Sequence, residues 1–141
     1  MNNKFIESLK NALENEDNLS IIETNRQEIK NEKNNILQQI GLDKNNLKLF
    51  HKKLKNCRYI DNIQDLKFGS QIRWINLKKI DNIKITNGAN LCDIKINNKG
   101  IALILSGFNK QYFTIYMNEN IIFQKINKEE EILLKAIKYL S

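Results

Sequence analysis

The chain has no proline, one histidine and only two cysteines among its 141 residues. Cys57 and Cys92 form no Cys-x-x-Cys pair, and His51 has no second histidine beside it, so the usual zinc-ligand patterns are missing. No glycine-rich phosphate-binding motif occurs either, and we expect no metal and no cofactor. No apolar run is long enough for a membrane span, and the first residues lack the apolar core of a secretion signal. We therefore expect an intracellular protein with reduced thiols and no membrane contact.

The same scarcity argues against catalysis. A cysteine nucleophile needs a base beside it, and the spacing of His51 and Cys57 does not place them on one helical face. The carboxylates of Asp61 and Asp65 lie in a predicted connector, where turn and surface roles are common. The sequence thus predicts a protein without enzymatic activity.

Positive charge is in excess. The formal net charge is +7, from 23 lysines and arginines against 16 acidic residues. Most of the excess lies between residues 58 and 126, as expected for a surface that binds nucleic acid. The abundance of Asn, Ile and Lys, whose codons are rich in A and T, gives a second explanation: an AT-rich genome that produces a lysine-rich surface.

Short segments separated by turn residues predict five strands in the second half of the chain; most alternate apolar and polar residues, and Ile101–Leu105, apolar on both faces, is expected to be the most buried. Turn sequences such as Asn87-Gly88 separate them. The thiol of Cys92 is in phase with Ile94 and Ile96, which predicts that it packs in the core. The predicted strands are Gln71–Leu77, Ala89–Asn97, Gly100–Ser106, Gln111–Met117 and Asn120–Ile126.

Helical periodicity predicts about three helices before the strands and one after them. The first runs from about Lys4 to Asn15, the second from about Ser20 to Ile40, and the third from its N-cap Asp43 to about Asn56. The last helix follows the N-cap Asn127. Isoleucines with a spacing of seven line the second helix, as in surfaces that pack on a partner helix. This isoleucine seam consists of Ile22, Ile29, Ile36 and Ile40.

Together these elements predict an α+β fold: N-terminal helices, a five-stranded antiparallel β-barrel of the SH3-like kind, and a C-terminal helix that caps the barrel. We expect a helical region at residues 1–57 and the barrel with its helix at residues 58–141. Leu66–Trp74 resembles the opening strand of SH3-like barrels of the Tudor/KOW type, where a glycine precedes a strand with an aromatic residue. The short link Asn118–Asn120 before the last strand is also similar to that class.

Three segments of the second half are similar to segments in small proteins of giant nucleocytoplasmic large DNA viruses. They are Ile72–Leu77, Thr86–Gly88 and Asn120–Lys125. This resemblance implies an origin in such a virus and a setting in the virion or the virus factory. It implies no activity.

Two functions follow as hypotheses. The first is a non-enzymatic interaction or structural module of a viral protein, which binds a protein partner or itself through the isoleucine seam. The alternative is binding of DNA or RNA by a basic and aromatic face of the barrel, where rings stack on bases and cations neutralise phosphates. For Trp74 a place in the core is the favoured interpretation, because it shares a strand face with Ile72. The candidate nucleic-acid residues are Arg73, Trp74, Lys95, Lys99, Lys110, Tyr112 and Tyr116.

Overall fold

The fold is α+β, as the sequence predicts, and the computed structural model describes residues 3–79 and 81–140. These residues contain the helices α1 (Asn3–Glu14), α2 (Leu19–Ile22), α3 (Arg26–Gln39), α4 (Lys44–Lys53) and α5 (Lys128–Leu140). They also contain the strands β1 (Cys57–Ile60), β2 (Gln71–Asn76), β3 (Ala89–Asn97), β4 (Gly100–Ser106), β5 (Tyr112–Tyr116) and β6 (Asn120–Lys125). Single 3-10 turns occur at Glu16–Asn18, Ile63–Asp65 and Met117–Glu119.

The strands form one open antiparallel sheet in the order β1-β6-β2-β3-β4-β5, with β1 and β5 at its edges. The five predicted strands are present as β2 to β6. The predicted number of strands is nevertheless wrong, because β1, which we expected to be a connector, pairs with β6 along its whole length. A four-residue strand is too short for its alternation to stand out in a sequence.

The two faces of the sheet are covered in different ways. On the inner face, Ile72, Leu103 and Leu105 are fully buried in a cluster that contains no α-helical residue. On the outer face, α3 and α4 cover only β1, β6 and β2, where Leu54 packs with Phe123. The outer face of β3, β4 and β5 carries no helix in the described clusters. The cluster around Leu54 and Phe123 contains residues from both predicted regions, 1–57 and 58–141. The division of the chain at residue 57 stays a prediction.

Local polar signals set the helix boundaries. The predicted second helix is interrupted, because the Asn25 side chain accepts a hydrogen bond from the Glu28 N–H at 2.9 Å and starts α3 there. Asp43 caps α4 as predicted, accepting from the Asn46 N–H at 2.8 Å. Each cap satisfies an N–H that the first helical turn leaves unpaired.

Helix α5 packs on other helices and does not cap a barrel. Its buried residues Leu133 and Leu134 cluster with Ala12 of α1, Ile21 of α2 and Ile29 of α3. The predicted N-cap is present, with the Glu130 N–H donating to Asn127 Oδ1 at 2.8 Å and the Asn127 N–H donating to Glu130 Oε1 at 3.0 Å. The predicted last helix is therefore present, but its buried side packs on the N-terminal helices.

The prediction for Cys92 is wrong. A β-bulge between Leu91 and Asp93 shifts the alternation along β3, and the Cys92 side chain is exposed. Leu91 remains buried, and after the bulge Ile94 lies opposite Leu103 and is half-buried, while Ile96 near the end of the strand is 73% exposed. An inserted residue of this kind changes which face its neighbours occupy, and the apolar pattern alone gives no sign of it.

Candidate functional sites

The structure divides the predicted nucleic-acid residues among several places. Lys95 lies opposite Ala102 on the next strand, and Ala102 lies opposite Tyr116, so all three share the uncovered outer face. Trp74 belongs to the inner cluster, with its ring 5.8 Å from that of Phe113. Arg73 lies beside α4, where its Nη1 donates to the Lys53 carbonyl at 2.9 Å.

We call Lys95, Tyr112 and Tyr116 the tyrosine face. Tyr112 is 73% exposed, while the Tyr116 hydroxyl accepts a hydrogen bond from Asn97 Nδ2 at 3.3 Å. Lys99 and Lys110 lie in the two turns at opposite ends of β4, outside this face. Of the seven candidates, three therefore form one small group with a lysine at each end, while Arg73 and Trp74 lie apart from it.

The isoleucine seam is largely internal. Ile29 is buried with residues of α5, and Ile36 and Ile40 pack against the cluster of α3, α4 and the sheet. Only Ile22 is exposed. Ile29 and Ile36 keep their spacing within α3, whereas Ile22 lies in α2, and the partner of most of this seam is the protein's own core.

The free edge of β5, here the β5 edge, exposes backbone groups that pair with no other strand, and of these the Tyr116 carbonyl accepts a hydrogen bond from Asn120 Nδ2 at 2.8 Å. The Gly107 N–H donates to the Gln111 carbonyl, and hydrogen-bonded pairs then alternate along the β4–β5 ladder. The N–H groups of Phe113 and Ile115 consequently point toward β4. Those of Tyr112, Thr114 and Tyr116 point away from the sheet, into the open edge.

A groove of about 620 Å³ lies between α3, the end of α4 and α5. We call it the basic groove, because its walls carry Arg26, Lys30, Lys33, His51 and Lys55 against one carboxylate, that of Glu131. Sequence reasoning did not find it, since its residues come from three helices that only the tertiary structure brings together. The signal that the sequence offered was Lys33. It lies between Ile29 and Ile36 at a position of α3 where a helix that packs along this seam is expected to carry an apolar residue.

Burial governs the electrostatics of this groove. Lys33 Nζ donates to the carbonyls of Leu54 and Cys57 at 2.8 and 3.0 Å, and burial lowers its pKa. His51 Nε2 lies 3.1 Å from Asn34 Oδ1, and its pKa is lowered first by burial and then by the charges of Lys33 and Lys30. The groove thus has a positive potential that disfavours further positive charge.

A buried polar network, also unforeseen, joins the helices to the sheet. Lys67 Nζ donates to Asn18 Oδ1 at 2.5 Å and lies 3.3 Å from Glu130 Oε2. The Gln124 side chain, fully buried, accepts from the Lys67 N–H and donates to the Asp65 carbonyl. Because these groups are bonded to one another, the network is a structural element of the core.

Two observations concern Cys57, the cysteine nearest to His51 in the sequence, and the grouping of possible metal ligands. Cys57 is buried under α3 and α4, and burial raises the pKa of its thiol, which disfavours the reactive thiolate. Among residues 3–79 and 81–140, no three His, Cys, Asp or Glu side chains lie together where they could hold a metal ion. None of the described helices is long and apolar enough to cross a membrane.

Comparison with known proteins gives no match: no family model fits the chain, and no curated protein or solved structure is significantly similar to it. The fold and its surfaces are therefore the basis for assigning a function. They define an α+β protein with an open six-stranded sheet, an uncovered strand face and a basic groove.

Proposed function

We propose that this protein is a non-enzymatic interaction module that associates with a second copy through the β5 edge. The observation that carries the proposal is the strand itself, Tyr112–Tyr116, whose sequence Tyr-Phe-Thr-Ile-Tyr has no charge, proline or glycine. Natural edge strands usually carry such features to prevent pairing between molecules. Their absence favours strand addition, in which backbone hydrogen bonds supply the contact.

The strand sequence is nearly symmetric about its centre. In an antiparallel pairing centred on Thr114, each Tyr112 lies opposite the partner's Tyr116, and each Phe113 opposite the partner's Ile115. The outward N–H and C=O groups of Thr114 would form a hydrogen-bonded pair across the twofold axis. Such a contact is self-complementary, as a twofold dimer requires.

Proline at position 114 tests this proposal. Because the Thr114 N–H points away from β4, Thr114→Pro removes a donor of the edge and leaves the ladder to β4 intact. Thr114→Val is the matched control, since it keeps the N–H and the β-branched side chain. We expect sedimentation velocity to show dimers for the wild type and Thr114→Val, and monomers for Thr114→Pro at equal concentration.

The thermal unfolding of each variant shows whether the fold is retained. A wild-type protein that stays monomeric at high concentration would refute self-association. If a folded Thr114→Pro protein still forms dimers, the dimer contact lies on another surface, and the exposed Ile22 of α2 is the next candidate.

We further propose that the sheet is an SH3-like barrel that remains open between β1 and β5. Two observations support this interpretation. The inner face buries Leu103 and Leu105 completely without a covering helix, which requires the sheet to curl over its own side chains. The link between β5 and β6 is a single 3-10 turn, as short as the sequence resemblance implies.

The viral origin is a proposal as well, supported by the sequence segments that resemble proteins of giant DNA viruses. In that setting the protein would be a structural or accessory component of the virus factory or the virion. Mass spectrometry of purified virions from an infected culture tests the location. If the protein is missing from purified virions, its proposed location would be the infected cell and not the virion.

A second candidate function, nucleic-acid binding, is favoured by the tyrosine face. Lys95 and Tyr116 are two strands apart on an uncovered surface, and the exposed ring of Tyr112 lies on the same strand as Tyr116. Fluorescence anisotropy with labelled single-stranded and duplex DNA and RNA, at low and near-physiological salt, tests this function. Changing both tyrosines to alanine should cost about 1–3 kcal/mol per stacked base. Binding that disappears with salt for every probe would indicate only a generic positive surface.

A further inference from the structure

The basic groove contains positive charge without a balancing negative charge. Its only lining carboxylate, Glu131, is held by Arg26 Nη2 at 2.5 Å. Lys30 and Lys55 form no ion pair or side-chain hydrogen bond with any described residue. Two ammonium groups at the walls therefore remain available to a ligand.

The lysines and the histidine of the groove are close enough to repel one another. Lys30 lowers the pKa of Lys33, and both lysines lower the pKa of His51, in each case after the larger effect of burial. Of the remaining ionisable lining residues, Lys55 adds positive charge, while Arg26 and Glu131 neutralise each other. A bound anion would relieve this repulsion, and the relief would appear as a higher pKa of His51.

Shape and donors favour an anion with several oxygens. The buried side chains of Ile29, Ile126 and Leu134 line the groove, and the amides of Asn31 and Asn56 add hydrogen-bond donors. The volume of about 620 Å³ lies within the range of small-ligand sites. Lysine ammonium groups bind phosphate as point charges, without the planar geometry that carboxylate recognition by arginine uses.

We propose that the basic groove binds a phosphate-bearing anion whose oxygens contact Lys30 and Lys55. Lys33 has a positioning role, because its ammonium group is already bonded to the carbonyls of Leu54, at the end of α4, and of Cys57, at the start of β1. The basic groove is separate from the β5 edge and the tyrosine face. If no anion binds in the groove, the proposals for those two surfaces are therefore unaffected.

The single histidine makes a direct test possible. Its ring proton resonances in an NMR spectrum report on this groove alone, because the chain has no other histidine. We expect inorganic pyrophosphate to shift them and to raise the pKa of His51. A short single-stranded oligonucleotide is the second probe. Tighter binding of the oligonucleotide would identify the phosphate as part of a nucleic-acid backbone, and tighter binding of pyrophosphate would identify a small phosphorylated ligand.

Two double variants separate this site from general charge. Lys30→Gln with Lys55→Gln removes both free ammonium groups, and we expect it to weaken pyrophosphate binding by at least about tenfold. Lys44→Gln with Lys48→Gln removes the same charge from exposed positions of α4 outside the lining residues, and should leave binding nearly unchanged. Equal weakening by both variants, or no shift of the His51 resonances with either probe, would overturn the proposal.

Discussion

The ion pair between Lys67 and Glu130 allows a quantitative test of the packing between helices and sheet. Glu130 is 1% exposed and the Lys67 side chain 10%, with 3.3 Å between Nζ and Oε2. Glu130 Oε2 has no hydrogen-bond partner among the described atoms, so the charge of Lys67 is its main compensation. The other oxygen, Oε1, accepts from the Asn127 N–H and helps to start α5.

We predict that Lys67→Met destabilises the protein by about 3–5 kcal/mol, because it leaves the buried Glu130 carboxylate without its partner. Glu130→Gln should cost a similar amount by leaving the ammonium group of Lys67 with its hydrogen bond to Asn18 but without a negative counter-charge, although the amide oxygen can keep the helix cap. The double variant has neither charge. Its loss should be smaller than the sum of the single losses by about 2 kcal/mol or more.

Urea denaturation at neutral pH, followed by circular dichroism, measures these free energies of unfolding. The two single variants, the double variant and the wild type form a complete double-mutant cycle. If the single losses simply add in the double variant, the two groups are not coupled, and the ion pair does not hold the helices to the sheet. Single losses below about 1 kcal/mol would place the pair in a solvated environment, contrary to its burial.

Three further predictions concern single residues. Leu103→Ala should destabilise the fold by about 2–5 kcal/mol in the same urea assay, because Leu103 is fully buried on the inner face; a much smaller loss would contradict the curled sheet. A thiol reagent should modify the exposed Cys92 in the native protein, and the buried Cys57 only after unfolding; rapid modification of both would refute the burial of Cys57. Burial lowers the pKa of His51 below its ordinary value of 6.5. The folded state therefore binds fewer protons than the unfolded state just below that pH, and stability should fall as the pH drops through this range. His51→Asn should remove this part of the decline in melting temperature, and an unchanged slope would contradict the shift.

The local pattern was sufficient to predict many of the elements. Strands β2 to β6 follow from alternation and turn residues, and the caps at Asp43 and Asn127 follow from side chains that bond to nearby N–H groups. These interactions act between neighbours in the chain. The sequence therefore contains the whole signal for them.

The partners of each surface depended on contacts between distant residues. The isoleucine seam indicated an apolar side of the second predicted helix, but only the tertiary structure shows that Ile29 lies in one buried cluster with Leu133 of α5. The bulge before Asp93 exposed Cys92, and the pairing of β1 with β6 added a strand that alternation did not predict. Neither leaves a periodic signal, since each arises from pairing with another strand.

The candidate sites likewise combine features that the sequence predicted with features that only the tertiary structure shows. The sequence by itself determined the α+β class, most of the strands and the grouping of Tyr112 with Tyr116 on one strand face. The sequence also favoured a core position for Trp74, which the structure shows packed against the inner cluster. Only the tertiary structure brought Lys30, His51 and Lys55 to one groove. Alternation and capping are read from adjacent residues, whereas a groove or a shared face depends on how elements pack, which burial of apolar surface decides across the whole chain.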